Sequence, residues 1–221
     1  LPLLRFAEGR APVSGSLRID GGGAAGLTVE SPLTGVALDV PRPFTKAAAQ
    51  ALPLTLTVPL QASPRLDLAL GERLRAALQF GPAGLAKTAA ALGGEAPRPA
   101  DCDARYCLAG ELSVLDAAAW GRFYSDYLAG NDSRGAVEDV SYRIDSLAVG
   151  EVSVGERSFG GARFDLWGSG ALWQGALESA WLQGSVTRRD GELQLLIEDI
   201  DVARTTGGEP LALDRFLDFL P

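Results

Sequence analysis

Along most of this chain apolar and polar residues alternate one for one, the pattern of a strand that buries a single face. Leu54, Leu56, Val58 and Leu60 alternate with Thr55, Thr57 and Pro59. Leu66, Leu68 and Leu70 alternate with Asp67 and Ala69, and Leu74, Ala76, Leu78 and Phe80 with Arg75, Ala77 and Gln79. Three consecutive strands are predicted there. Upstream, Leu17 and Ile19 precede Gly21-Gly22-Gly23, Leu27 and Val29 follow it, and Val36, Leu38 and Val40 run to the break at Pro41-Arg42-Pro43. Downstream the same signal recurs at Tyr106, Leu108 and Leu112, at Val140, Tyr142 and Ile144, and at Val152 and Val154. It continues at Phe164 and Leu166, Leu172 with Trp173, Leu182 and Val186, and Leu193, Leu195 and Ile197. About a dozen short, evenly spaced strands predict an extended antiparallel sheet.

One helical pattern interrupts them. Asp116 is the predicted N-cap, with a carboxylate placed to accept from the free amides of the first turn. Trp120, Phe123, Tyr124, Tyr127 and Leu128 mark one face, expected to lie against a sheet, and Gly130-Asn131 supplies a left-handed stop. A second, shorter helix is expected over Phe44 to Ala51. The run LAKTAAAL at 85–92 has the alanine content of a helix, yet its flanking glycines and neighbouring strands favour a strand. A Pro-rich loop, Glu95 to Cys102, and an acidic, glycine-rich stretch, Gly130 to Asp139, divide the chain into three parts. These are a first β block (1–100), a cysteine loop with the helix (101–135) and a second β block (136–221).

Composition narrows the functional classes. Apolar residues make up 47% of the 221 and charged residues 22%, enough for a sizeable core and too ordered a mixture for a disordered segment. The net charge of −8 has the wrong sign for a surface that must neutralise nucleic-acid phosphates. No window approaches the roughly 18 apolar residues of a membrane-spanning helix, and Leu1-Pro2-Leu3-Leu4 has no signal-peptide character. The chain contains no Met, and Leu213, Phe216, Leu217 and Leu220 fall at helical spacing where it stops, so the expectation is a piece of a longer protein.

Cys102 and Cys107 are the two cysteines, close together in DCDARYC. A disulfide across a tight loop would place the chain in an oxidising compartment, the periplasm or the cell exterior. Two free thiols or half of a metal site are the alternatives. With no His and no third Cys, zinc would lack its usual ligands.

Three stretches carry a family resemblance. In VESPLTGVALDVPRPFTKAAAQALPLTL (29–56), Ser31, Leu33, Gly35, Pro41, Pro43 and Lys46, followed by Ala51, Pro53 and Leu54, stand in the pattern S-x-L-x-G-x-x-x-x-x-P-x-P-x-x-K and A-x-P-L. GELSVLDAAAWGRF (110–123) has a strand entering a helix as L-D-x-x-x-W. Between Val149 and Val202, Val154-Gly155, Phe159-Gly160, Trp173, Leu182-Gln183-Gly184 and Leu195 to Val202 form a third, more generic pattern. Together these stretches resemble the YhdP family of large AsmA-like envelope proteins. The resemblance implies a mainly β fold: an elongated, curved antiparallel sheet forming an apolar groove, β-taco-like, with one or two short helices. It also implies a place in the Gram-negative periplasm, a parent protein anchored in the inner membrane, and a part in moving phospholipid toward the outer membrane. The cysteine pair is outside the family pattern.

On that resemblance the lining candidates are Leu54, Leu56, Val58, Leu66, Leu68, Leu70, Leu74 and Leu78, the clean side of three consecutive strands. Phospholipid acyl chains are the expected ligand, with other envelope proteins as further candidate partners. The alternation itself fits a closed core equally well. The competing reading is therefore a structural β module that scaffolds the envelope or docks a partner.

Catalysis is not expected. His, the usual proton shuttle and triad base, is missing, and Gly168-Ser169-Gly170 reads as a turn rather than a nucleophile elbow. Gly21 to Gly26 satisfies G-x-G-x-x-G, but a strand pattern follows where a dinucleotide site needs a helix, so a hairpin is predicted. Glu198, Asp199 and Asp201 could hold calcium, although a solvated edge that discourages edge-to-edge pairing is the favoured reading. Trp167, Trp173 and Trp181 are read as core or groove lining before a ligand platform. No cofactor or metal is expected.

Overall fold

The computed structural model describes residues 5–201 other than 20, 22–24, 61–64, 83, 96–97, 130–139, 156, 171 and 190–191. The proposed stop at Gly130-Asn131 and the helical spacing at Leu213 to Leu220 lie outside the described residues, as do the side chains of Tyr124, Tyr127 and Leu128.

Strands form where the alternation predicts them. The first are β1 (Ala7–Gly9), β2 (Ser14–Ile19), β3 (Ala25–Ser31) and β4 (Val36–Leu38). A meander follows of β5 (Leu54–Pro59), β6 (Arg65–Leu70), β7 (Leu74–Gly81) and β8 (Gly84–Leu92). The alanine-rich run is thus a strand, in which small side chains pack between neighbours on both sides. After a 3-10 turn at Pro99–Asp101 come β9 (Tyr106–Leu112) and β10 (Leu115–Asp116), which leads directly into α1 (Ala117–Ala129). Asp116 caps that helix, its Oδ1 accepting from the Ala119 amide at 2.8 Å. The second block holds β11 (Ser141–Val149), β12 (Val152–Val154), β13 (Arg157–Ser158), β14 (Ala162–Ser169), β15 (Leu172–Ser179), β16 (Leu182–Arg189) and β17 (Glu192–Ile200).

Twelve of these strands make one sheet in the order β17-β16-β15-β14-β11-β9-β8-β7-β6-β5-β3-β2. At the usual strand spacing it spans about 50 Å from edge to edge. Pairing is antiparallel except at β9, which runs parallel to both β8 and β11. Parallel neighbours need a crossover of about a dozen residues or more. The loop carrying the cysteines supplies the first crossover, and α1 with its flanks supplies the second. The strands on either side of the Gly-rich segment, β2 and β3, pair antiparallel with Ile19 opposite Ala25, as the strand pattern predicted.

The expected helix over Phe44 to Ala51 is absent. Lys46 instead pairs with Leu38, exchanging backbone hydrogen bonds of 2.8 and 3.1 Å. Its side chain is only 3% exposed. The ammonium donates to the carbonyls of Leu33 (2.8 Å), Val36 (2.5 Å) and Ala47 (3.1 Å). Alanine propensity is worth tenths of a kcal/mol per residue, and it loses to a buried cation whose three partners require an open loop.

The two faces of the large sheet differ. Leu92, Leu112, Leu147, Val149, Val152 and Ala162 form the main buried cluster, at one end of the strands on the apolar face. Val152 belongs to a small sheet, β10-β12-β13, that packs on the others. Helix α1 packs against β10 and β12 of that small sheet. The polar face is covered near its middle by the cysteine loop, whose 3-10 turn touches β7 and β8. Ala89 beside it is fully buried, and Ala77 nearly so.

Candidate functional site

Residues directly opposite one another in a sheet share a face, so the strand register assembles the candidate site. One row runs Val29, Leu56, Leu68, Ala76, Ala90, Leu108, Ile144, Leu166, Gly175, Val186 and Leu195, each paired with the next. No polar side chain interrupts it across eleven strands. Gly175 fits because a Cβ there would stand 3.1 Å from Leu166 Cδ1 and 3.3 Å from Val186 Cγ1, so the flanking side chains close over the gap.

All eight lining candidates lie on this face. Leu54 pairs with Leu70, Leu56 with Leu68, Leu66 with Leu78, Leu70 with Leu74, and Val58 with Leu27. All eight are half-buried. The rest of the face, from Leu108 through Ile144 and Leu166 to Val186 and Leu195, was not among the candidates. The same alternation marks those positions in the second block, but only the β8–β9–β11 pairing shows that the two blocks share one apolar side.

One end of this face is roofed. Phe44, Leu74, Leu115, Phe164 and Leu177 pack around the buried cluster. The Trp120 ring meets Phe44 edge-on at 6.1 Å and Phe123 at 5.5 Å, and Phe123 reaches Phe6 at 4.5 Å. The Trp120 indole N–H donates to the Arg42 carbonyl at 3.0 Å, and Arg5 donates to the carbonyl of Asp126 on the helix. The helix therefore closes the Leu112–Val149 end by way of the small sheet and the loop before β5.

Open clefts lie elsewhere. One of about 350 Å³ is bounded by Pro12, Val13, Pro32, Pro53 and Leu54, and Leu54 is the one lining candidate that it touches. A larger one, about 450 Å³, is bounded by Tyr142, Arg143, Trp167, Trp173, Arg188 and Arg189 with their neighbours. The edge strands carry exposed apolar side chains, among them Leu17 and Ile19 on β2 and Leu195 and Leu196 on β17.

The three tryptophans do not form one platform. Trp167 projects from the polar face, opposite Gln174 and half exposed. Trp173 lies on the apolar face opposite Gly168. Trp181 occupies the turn after β15, with its ring 5.0 Å from Phe159. Gly170, with φ 56°, sits in the turn after β14, while Gly168 and Ser169 complete that strand. Glu198 and Asp199 are exposed on the edge strand β17. Among the described residues no three acidic or cysteine side chains come together as a metal site would require.

Cys102 and Cys107 are joined by a disulfide with a Cα separation of 6.1 Å. Together with Ala104 they form a small buried cluster on the polar face. Lys87 donates to the Cys102 carbonyl at 2.6 Å and Arg105 to that of Leu85 at 2.8 Å, fixing the loop at both sides. Nearby, Arg143 is held by Asp145 (2.6 Å) and Asp103 (2.7 Å). The Asp145 hydrogen bond, then the charges of Asp145 and Asp103, raise its affinity for its proton.

Among the described residues no helix is long and apolar enough to cross a membrane. A comparison with protein families matches residues 1–213 to the family described as YhdP protein. No curated protein and no solved structure matches the chain.

Proposed function

This chain belongs to the YhdP family, and we propose that it is one section of a phospholipid conduit in the Gram-negative periplasm, part of a parent protein anchored in the inner membrane. Acyl chains lie on the apolar face and slide across its strands while head groups stay toward solvent. The role is carriage, with other envelope proteins as partners at either end and no chemical step.

The observation that carries this reading is the row from Val29 to Leu195, apolar at every position across eleven strands and made largely of half-buried side chains. A sealed core would have its central row among the most buried residues. Here the buried cluster instead lies to one side, under the roof, with Leu108 and Ile144 the members of the row packed against it. Each methylene moved from water onto such a surface gains about 0.8 kcal/mol. A tail is therefore held strongly without specific contacts, and it can shift by one strand at little cost. The disulfide suits an oxidising compartment.

The roof over Leu112 and Val149 favours a second reading for that end, a closed structural module that docks a partner. Mass spectrometry of lipids that co-purify with the chain under native conditions distinguishes them. The conduit requires phospholipid above the level of a non-lipid protein of similar size; its absence leaves the structural module.

A further inference from the structure

At the unroofed end of the apolar face the register sets out a row of different chemistry. Leu66, Leu78, Thr88, Tyr106, Tyr142, Gly168, Trp173 and Arg188 are paired in turn across eight strands. The row begins aliphatic, passes through two tyrosines, a tryptophan and a guanidinium, and closes on Leu193, opposite Arg188 on β17. We propose that Arg188, paired with Trp173 on one side and Leu193 on the other, is a seat for the phosphate of a glycerophospholipid whose chains lie on the adjoining apolar row. This rests on the reading of that row as a lipid surface.

Arg188 is half-buried, in a chain whose carboxylates outnumber its cations by eight. Arg143 is engaged with Asp103 and Asp145, Arg65 with Asp67, Arg73 with the Pro43 carbonyl and Arg105 with that of Leu85, and the strand arginines Arg18, Arg75, Arg163 and Arg189 lie on the polar face by register, whereas Arg188 lies on the apolar face. Arg188 makes no ion pair or side-chain hydrogen bond among the described residues. A guanidinium offers five donors in a planar fork, and one with no acceptor among the described residues beside an apolar wall is suited to a phosphate, which it can grip through two parallel hydrogen bonds. Trp173 beside it, and Tyr142 and Tyr106 farther along the row, fit the same boundary. Trp and Tyr carry an apolar body with a polar tip and favour the level where hydrocarbon meets water.

Spacing supports the match. Val186, the next residue on the same face of β16, belongs to the wholly apolar row, and two strand residues cover about 7 Å. That is comparable to the reach from a lipid phosphate through the glycerol ester to the first chain methylenes.

The test uses the whole chain incubated with vesicles of phosphatidylglycerol, phosphatidylcholine and diacylglycerol of matched chains, with retained lipid counted by native mass spectrometry. Wild type should retain both phospholipids over diacylglycerol. Arg188→Gln should lose about tenfold of that preference, the scale of one charge-assisted hydrogen bond, while diacylglycerol retention and the melting temperature stay unchanged. Arg188→Lys should fall between the two. If Arg188→Gln keeps the wild-type preference, the seat is wrong and the lipid surface stands. If wild type retains none of the three lipids, both are wrong. Glycerol 3-phosphate is titrated alone, with tryptophan fluorescence as readout. If it binds as tightly as the lipids, the site serves a free phosphate ester and the lipid proposal is overturned.

Discussion

Trp120 on the helix donates its indole N–H to the carbonyl of Arg42, seventy-eight residues earlier, at 3.0 Å. This bond and the edge-on contact with Phe44 tie α1 to the loop before β5, so the roof is held from two distant parts of the chain. Trp120→Phe keeps a ring in the edge-on contacts and loses the donor. It should cost about 1 kcal/mol, read as a lower urea midpoint. Trp120→Ala also empties the space between Phe44 and Phe123, and should destabilise more while the β signal in circular dichroism persists.

Lys46 is the most deeply placed charge in the described structure. Lys46→Met retains most of the side-chain volume but leaves the Leu33, Val36 and Ala47 carbonyls without their shared donor. Unsatisfied buried acceptors cost about 1–3 kcal/mol each where water cannot replace the donor. The variant should melt well below wild type. Proteolysis should find the loop before β5 first, and unchanged melting would show that water substitutes fully.

Reading the fold from sequence succeeded where alternation runs unbroken and faltered where a bulge resets it. From Leu54 to Leu78 the meander β5–β6–β7 pairs without a register shift, so each candidate falls on the apolar face as parity demands. In β11 the register shifts between Ile144 and Leu147, and Ser146 takes a positive φ of 45°. That extra residue keeps both Ile144 and Leu147 on the apolar side although they are three positions apart. Strict alternation would have turned Leu147 and Val149 outward, yet they are core. A similar shift leaves Glu198 unpaired between Ile197 and Asp199. The parallel insertion of β9 was also illegible, because strand order is set by long-range pairing and by crossover length. The apolar face was accordingly half legible: parity puts the leucines of the first block on one side, while its continuation through Ile144, Leu166 and Val186 needed the register. The helix expected over Phe44 to Ala51 failed because composition gives no sign of the carbonyl cage around Lys46.

The disulfide closes a very short loop, so its effect on the unfolded chain is modest. The chain-entropy relation gives about 2 kcal/mol for a loop of this size. Reduction with dithiothreitol should lower the melting temperature by several degrees. It should also increase hydrogen exchange at Ala77 and Ala89, which the cysteine loop covers. Because the loop lies on the polar face, lipid retention should survive reduction. Coupled loss of lipid would mean that the loop supports the apolar face from behind.

Two substitutions of the same kind separate the roofed and unroofed parts of the apolar face. Val149 is 3% exposed within the cluster beneath the small sheet, so Val149→Asp places a carboxylate where neither water nor a partner reaches it. Such a change commonly costs several kcal/mol, and the variant should fail to fold. Leu68 lies in the continuous row between Leu56 and Ala76 and is only half-buried. A carboxylate there keeps part of its hydration, so Leu68→Asp should retain the β spectrum with a reduced melting temperature. It should nevertheless lose co-purifying phospholipid, since an acyl chain crossing β6 would have to desolvate the charge. Leu56→Asp, one strand away, should behave alike. If both variants unfold as completely as Val149→Asp, the row is sealed core along its length, and sliding of lipid across these strands is ruled out.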